Sequence, residues 1–565
     1  MPDTALPVFD PPGPGVWELE TTHFTRPASR FIQQPLVDGF GAGFAASTAR
    51  YGVLLDRMEP RFVNDFAYTQ PQAFGAPAGA KGPPPKVIFQ MLTRLVPKLR
   101  ARIRTSHEAF EKKQWRLDLT WWDEQVRPAS DRRHREIQAV DPLALADEAL
   151  IEHLKVCRDQ CRDMIKQHHV FTVTCCLPVG DLLAHVQAWT GKPAGEILQV
   201  LRGSSPISLG VATAELDVLA GAIRADASTG PLLAPDKAAA SVIEALKAHG
   251  GPVGDAMRAY LDIVSYRSVG YDVSAKYASE LPGALAEAIR AAVGGGRAVD
   301  GGGKDRIAKL RGEIPEPHRA QFDGLLEVAR AINRLRDERG HYSDGWAVGL
   351  ARRALLEAGR RLVKRGTIDD AELAVDASLE EICALLRGAD GPPLVELKRR
   401  AQWRLSRSVN DADIPQWLGA PPSGPPPAEW LPEHGRRAHR AMAAFLGSLF
   451  GEPALDRTAV SVKGLPVSPG TYEGTARLVD TEADFGRIQR GDVLVTRATS
   501  PYFNVVLPLL GAIVTDRGGQ LCHAAIVSRE YGIPGVVGTR EATKLVKDGA
   551  RVRVDGTRGE VTVVG

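Results

Sequence analysis

The stretch "TDRGGQLCHAAIVSREYGIPGVVG", residues 515 to 538, places one imidazole, His523, behind a glycine pair and ahead of an apolar run with helical spacing. The run "HAAIVSREY" predicts a helix that starts at or near His523 and stops at Gly532, a residue suited to a C-terminal cap. In the first turn, the positive end of the helix disfavours imidazolium and leaves a neutral ring able to act as a nucleophile. The unpaired amides of that turn also suit a phosphoryl group. Gly518 and Gly519, with Thr515 at the end of the preceding strand, frame the approach of a phosphate, because in-line displacement at phosphorus needs space free of side chains. From local physics alone, a helix-opening histidine that makes a single hydrogen bond remains the simpler alternative.

The elements that must position this histidine are short. From Ser461 onward the runs "GTARLV", "DVLVT", "GAIVTD", "GVVG", "RVRVDG" and "EVTVV", punctuated by Gly and Asp-Gly turns, predict strands around one helix, a compact α/β domain over 461–565. Before it, Val87 to Asn410 reads as helical, with apolar residues at i, i+3, i+4 and i+7 in "PLALADEALIEHLKVCRDQCRDMIKQHHV" and "WAVGLARRALLEAGRRLVKRG". The expected fold class is therefore multidomain α and α/β. A mainly helical domain spans 1–410, a Pro-rich linker and connecting helix 411–460, and the histidine domain 461–565. Within 413–435, "DIPQWLGAPPSGPPPAEWLPEHG" predicts an extended, semi-rigid spacer.

Other tempting patterns carry less. Gly39, Gly41 and Gly43 form a G-x-G-x-G, but no strand precedes them, so close helix packing is expected rather than a dinucleotide site. "GAPAGAKGPPPK" (75 to 86) is not a phosphate-binding P-loop, since Lys81 is followed by glycine. "VGGGRAVDGGGK" (293 to 304) reads as a mobile connection between helices. Lys and Arg total 71 against 68 Asp and Glu, a formal charge of +3, which argues for neither nucleic acid nor an anionic membrane as partner. No uncharged apolar run approaches the ~18 residues of a spanning helix, and the N-terminus lacks the pattern of a signal peptide, so a cytoplasmic protein is expected. Six cysteines are too few for a disulfide scaffold, and Cys157, Cys161, Cys175 and Cys176 read as reduced core thiols.

The motif around His523, "ATKLVKDGARVRVDGTRGEVTVV" after it, and "KGLPVSPGTYEGTARLV", "GDVLVT" and "TSPYF" before it closely resemble the swivelling phosphohistidine domain of the phosphoenolpyruvate-utilising enzymes. Upstream, "HFTRP", "SYRSVGYDVSAKYASELP" and "RLRDERGHYSDGWAVGLARRALLEAGRRLVKRGTI" are similar, in the same order, to the acceptor-binding helical domain of rifampin phosphotransferases. Neither the phosphate loop and carboxylates of an ATP-grasp domain nor the pyruvate-handling barrel is recognisable, an inventory similar to the acceptor-plus-histidine component of phenylphosphate synthase.

The resemblance implies a sequence of events. ATP and Mg²⁺ are held by an ATP-grasp partner subunit, His523 takes the β-phosphate, and the domain swings to phosphorylate a bound hydroxyl, a small phenol-like acceptor. It also implies an acceptor-site arginine in the helical domain, around which the residues themselves offer further candidates. Arg336 matches the acceptor-site arginine and is expected to bind the phosphoryl group, with Asp337 orienting it and His341 as general base. Arg267 is expected as an anion clamp, with Tyr271 and Asp272 as polar groups near the acceptor. The rifampin enzymes commonly have a glutamate near Tyr271, and that departure argues against rifamycin itself. His168 and His169 are expected to line the pocket or supply the base, with satisfied core histidines as the alternative. An antibiotic or aliphatic alcohol acceptor, and a phosphocarrier that relays phosphate to another protein, remain alternative readings.

Overall fold

In the computed structural model, the described residues are all except 1–6, 78, 81, 296–302, 420–423, 452, 481, 500–502, 505 and 565. Lys81, most of the glycine-dense 293–304 loop, the middle of the Pro-rich segment and Ser500 to Tyr502 of "TSPYF" thus lie outside the described residues. The chain divides into two compact units that do not follow chain order. The first comprises 1–175, 270–275 and 342–440, and the second 176–269, 276–341 and 441–565.

In the first unit, helix Arg30–Tyr51 ends at Gly52, a left-handed cap with φ 63°. Gly39 and Gly43 let this helix approach helix Asp147–Val170. A Cβ at those positions would meet the carbonyl oxygens of Arg162 at 2.5 Å and Lys166 at 2.3 Å. Close packing is therefore their use. A four-stranded antiparallel sheet, absent from the sequence reading, also belongs here. It is formed by β1 (Trp17–Leu19), β2 (Leu55–Val63), β3 (Phe66–Ala73) and β4 (Trp417–Leu418), in the order β2-β3-β1-β4. Trp17, Phe66, Tyr68 and Leu418 form its core. β4 comes from the Pro-rich segment, so part of the expected spacer is tied into a sheet.

Helices Asp147–Val170 and Thr172–Thr190 form a 44-residue run long and apolar enough to cross a membrane, but 72% of its most apolar window is buried inside the protein. Leu182, Leu183 and Val186 of that run pack with Phe322, Leu326, Phe445 and Leu521 in a core of the second unit. All six cysteines are free thiols, five of them buried.

The second unit also holds an eight-stranded mixed sheet. Its strands are β5 (Ser461–Lys463), β6 (Leu465–Ser468), β7 (Thr471–Val479), β8 (Val493–Thr496), β9 (Ala512–Thr515), β10 (Gly535–Val537), β11 (Arg551–Asp555) and β12 (Glu560–Val563). The order is β5-β12-β11-β7-β8-β9-β10-β6, with β7 to β10 mutually parallel. β8, β9 and β10 are buried at every residue, as parallel strands covered on both faces require, whereas β11 alternates. Val493, Val495, Val514, Val536, Val552 and Val554 share one core, each burial contributing about 1.5–3 kcal/mol. Helical bodies and a C-terminal mixed α/β sheet thus make up the fold class read from the sequence.

Candidate functional site

Helix His523–Tyr531 is the crossover between parallel strands β9 and β10, so its first residue emerges at the C-terminal edge of the sheet, where open α/β sheets place ligands. It ends at Gly532, a left-handed cap with φ 69°. His523 is the first helical residue and only 9% exposed. Because Thr496 of β8 pairs with Thr515 of β9, the segments leaving both strands run side by side and bring the β8–β9 connection to the imidazole. Thr499 Oγ1 lies 2.9 Å from Nδ1, and Asn504 Oδ1 lies 3.2 Å from Nε2.

Burial, and behind it the Arg336 guanidinium, push the His523 pKa down to about 3. The ring is neutral, as the sequence suggested, with desolvation the larger cause and the Arg336 charge the second. A neutral imidazole has one N–H and one lone pair. An amide oxygen only accepts, so the network places the proton on Nε2, while the Thr499 hydroxyl donates to Nδ1. A hydroxyl works equally well in reverse, so Thr499 accommodates the proton on Nδ1 when Nε2 must present its lone pair.

Helix Leu335–Tyr342 supplies the opposite wall. Asn504 Nδ2 donates toward His341 Nε2 at 3.3 Å, leaving that nitrogen unprotonated. The Arg336 guanidinium sits over the Phe445 ring at 5.7 Å, and its buried Nη1 has no hydrogen-bond partner among the described residues. A buried donor left unpaired on a cation is costly, and an anion is what would satisfy it. Asp337 does not pair with Arg336; its carboxylate accepts the hydroxyls of Ser205 (3.2 Å) and Ser208. Arg267 donates to the carbonyls of Ile263 (2.8 Å) and His341, a brace on the end of this helix rather than a clamp facing outward.

The glycines serve a different purpose from the one their spacing suggested. Gly518 has φ 105°, and a Cβ there would meet the Cys522 sulfur at 2.7 Å. A Cβ on Gly519 would meet the Ser448 carbonyl oxygen at 2.4 Å. Both allow tight packing behind His523 instead of an open approach. Thr515 is fully buried, with Oγ1 bonded to the Arg517 carbonyl at 2.8 Å.

The remaining sequence-predicted residues belong to the first unit. Asp272 accepts the backbone N–H groups of Ser29 (2.7 Å) and Ser274 (2.8 Å), and Tyr271 stands edge-on to His23 at 4.8 Å. His168 Nδ1 meets Asp344 Oδ1 at 3.0 Å. His169 stacks on Phe44 at 5.0 Å, touches Phe40 at 4.1 Å and bonds Thr172 at 3.3 Å. Among the described residues no cluster of three His, Cys, Asp or Glu side chains is arranged to hold a metal ion.

Residues 488–559 match the family of the PEP-utilising enzyme mobile domain. That match lies wholly within the C-terminal domain that carries His523. Relatives of this mobile-domain protein agree. It is 30% identical to the uncharacterized phosphotransferase YvkC of Bacillus subtilis over 46% of the chain and 30% of that protein. It is 30% identical to the rifampicin phosphotransferase of Streptomyces sviceus over 57% of the chain and 36% of that enzyme. A probable phosphoenolpyruvate synthase of Archaeoglobus fulgidus is 48% identical over 102 residues, 18% of the chain and 14% of the relative. The chain thus spans about a third or less of the length of these curated relatives.

Proposed function

We propose that this chain is the acceptor-binding and phosphohistidine component of an ATP-dependent phosphotransferase. His523 takes the β-phosphoryl group of ATP held with Mg²⁺ on a separate ATP-grasp subunit in the cytoplasm. The lone pair of one ring nitrogen forms the N–P bond, the bond from that phosphorus to the bridging oxygen of AMP breaks, and water later takes the γ-phosphate. The mobile domain then presents the phosphoimidazole to the hydroxyl of a small aromatic acceptor. As the acceptor oxygen bonds to phosphorus and the N–P bond breaks, His341 removes the hydroxyl proton and Arg336 neutralises charge on the equatorial oxygens. A phenol, with a pKa near 10, is mostly protonated at neutral pH and requires such a base.

The observation that carries this reading is the pairing of a neutral, buried imidazole with an arginine whose buried Nη1 lacks a partner among the described residues. A phosphoryl group on His523 would provide that partner. The rifampicin phosphotransferase relatives favour one second reading, a rifamycin-like acceptor served by the same residues. The test is to mix the chain with the ATP-grasp subunit and β-³²P-labelled ATP. The expected result is acid-labile label on His523 that phenol discharges as a phosphorylated product. Label on another residue, or none, overturns the proposal.

A further inference from the structure

Helix His523–Tyr531 carries a second buried ionisable group. Glu530 lies seven residues beyond His523, two turns along, and therefore on the same face. It is 8% exposed. Its carboxylate accepts the backbone N–H of Gly203 at 2.8 Å and that of Ser205. Beside it, the Tyr531 hydroxyl donates to the Leu209 carbonyl at 3.2 Å.

The same 203–209 loop is tied on its other side to the acceptor-side helices. Ser205 and Ser208 donate to Asp337, and Asn333 Nδ2 donates to Ser204 Oγ at 3.0 Å. One short loop thus grips the helix that begins with His523 and the helix that carries Arg336 and His341. A carboxyl group leaves water at a cost that hydrogen bonds to its oxygens offset in part, so the Gly203 and Ser205 amides are a specific seat for it.

We propose that Glu530 is a positioning residue for the acceptor half of the reaction: seated on the amides of Gly203 and Ser205, it fixes His523 against Arg336 and His341. The inference rests on the reading of His523 as a phosphoryl carrier. When the mobile domain leaves for the donor, the seat empties and Glu530 returns to water. Loss of Glu530 therefore impairs delivery to the acceptor while leaving capture of phosphate intact.

Phosphoramidate tests this on the full chain without the partner subunit. The reagent's P–N bond breaks, ammonia leaves and a new N–P bond forms on an accessible imidazole. Docked His523 is shielded, so Glu530→Ala is expected to label at least tenfold faster than the wild type. The isolated phosphoprotein should then transfer to phenol at least tenfold more slowly. Glu530→Gln, which keeps an accepting oxygen and resembles the protonated carboxyl that docking favours, labels within about twofold of the wild type, and Tyr531→Phe, a gentler change, speeds labelling about twofold. Urea unfolding midpoints of all variants separate undocking from misfolding. Equal labelling rates in wild type, Glu530→Ala and Tyr531→Phe overturn the inference. Failure of the phosphorylated wild type to transfer to phenol counts against the phenolic acceptor, and the labelling rates alone then decide the role of Glu530.

Discussion

His341 Nε2 lies 3.3 Å from Asn504 Nδ2, and the oxygen of the same amide faces His523. One side chain thus connects the phosphoryl carrier to the proposed base. Asn504→Leu keeps the volume and removes both bonds. Each is worth about 1 kcal/mol and more when left unmade, so single-turnover transfer to acceptor should fall about 10–100-fold with little change in acceptor KM. Rapid-quench measurement of phosphoenzyme decay checks this.

Arg336 depresses the His523 pKa, though less than burial does. Replacing it with Met should raise that pKa while leaving it below 6.5, readable by NMR titration of the imidazole. The same variant loses the donor for equatorial phosphoryl oxygens, and transfer should slow by about 10²–10³-fold. Arg336→Lys restores the charge but not the planar fork, so the pKa should recover further than the rate.

Docking should respond to pH through two groups of opposite sign. Glu530, faced by Arg529, Arg330 and Asp337, is pushed up to about 7 by burial. Its contribution to docking is full below its ordinary value near 4.5 and is lost as pH rises through 7. His523 is pushed down to about 3, so its contribution is full above 6.5 and is lost as pH falls toward 3. Between about 4.5 and 6.5 the two slopes cancel and docking is flat. In Glu530→Gln only the histidine slope remains, so protection of the helix His523–Tyr531 amides, corrected for intrinsic exchange, should rise steeply with pH across that window.

Gly43 and Gly41 offer a matched pair of stability measurements. A Cβ at Gly43 meets the Lys166 carbonyl oxygen at 2.3 Å, whereas at Gly41 the nearest atom is 3.5 Å away. Gly43→Ala should cost about 1–3 kcal/mol through overpacking, and Gly41→Ala should gain up to about 1 kcal/mol from helix propensity. Urea denaturation of both variants reads the difference.

The histidine helix and the core strands were legible because period and punctuation agreed. A glycine sits where the helix needs a left-handed cap, and the parallel strands read as unbroken apolar runs. The β2–β3 hairpin was missed because Pro60 and Pro71 sit inside its strands and its two-residue turn, Asn64 and Asp65 with φ 51° and 67°, reaches the left-handed region without the glycine that marks such turns in sequence. At the site, Thr499 and Asn504 were hidden because they are 24 and 19 residues from His523 and reach it only through the order of the parallel strands. Glu530 had a readable clue, its two-turn spacing from His523. The orientation of Asp337 toward serines from another loop had none.

The pairing of β1 with β4 joins Trp17 to Leu418. At about 5–20 residues per second, ribosomal synthesis leaves that edge of β1 without its partner for about 20–80 s after Trp17 is made. During that interval β1 is an open template for pairing with other chains, so that edge needs shielding until Leu418 has emerged.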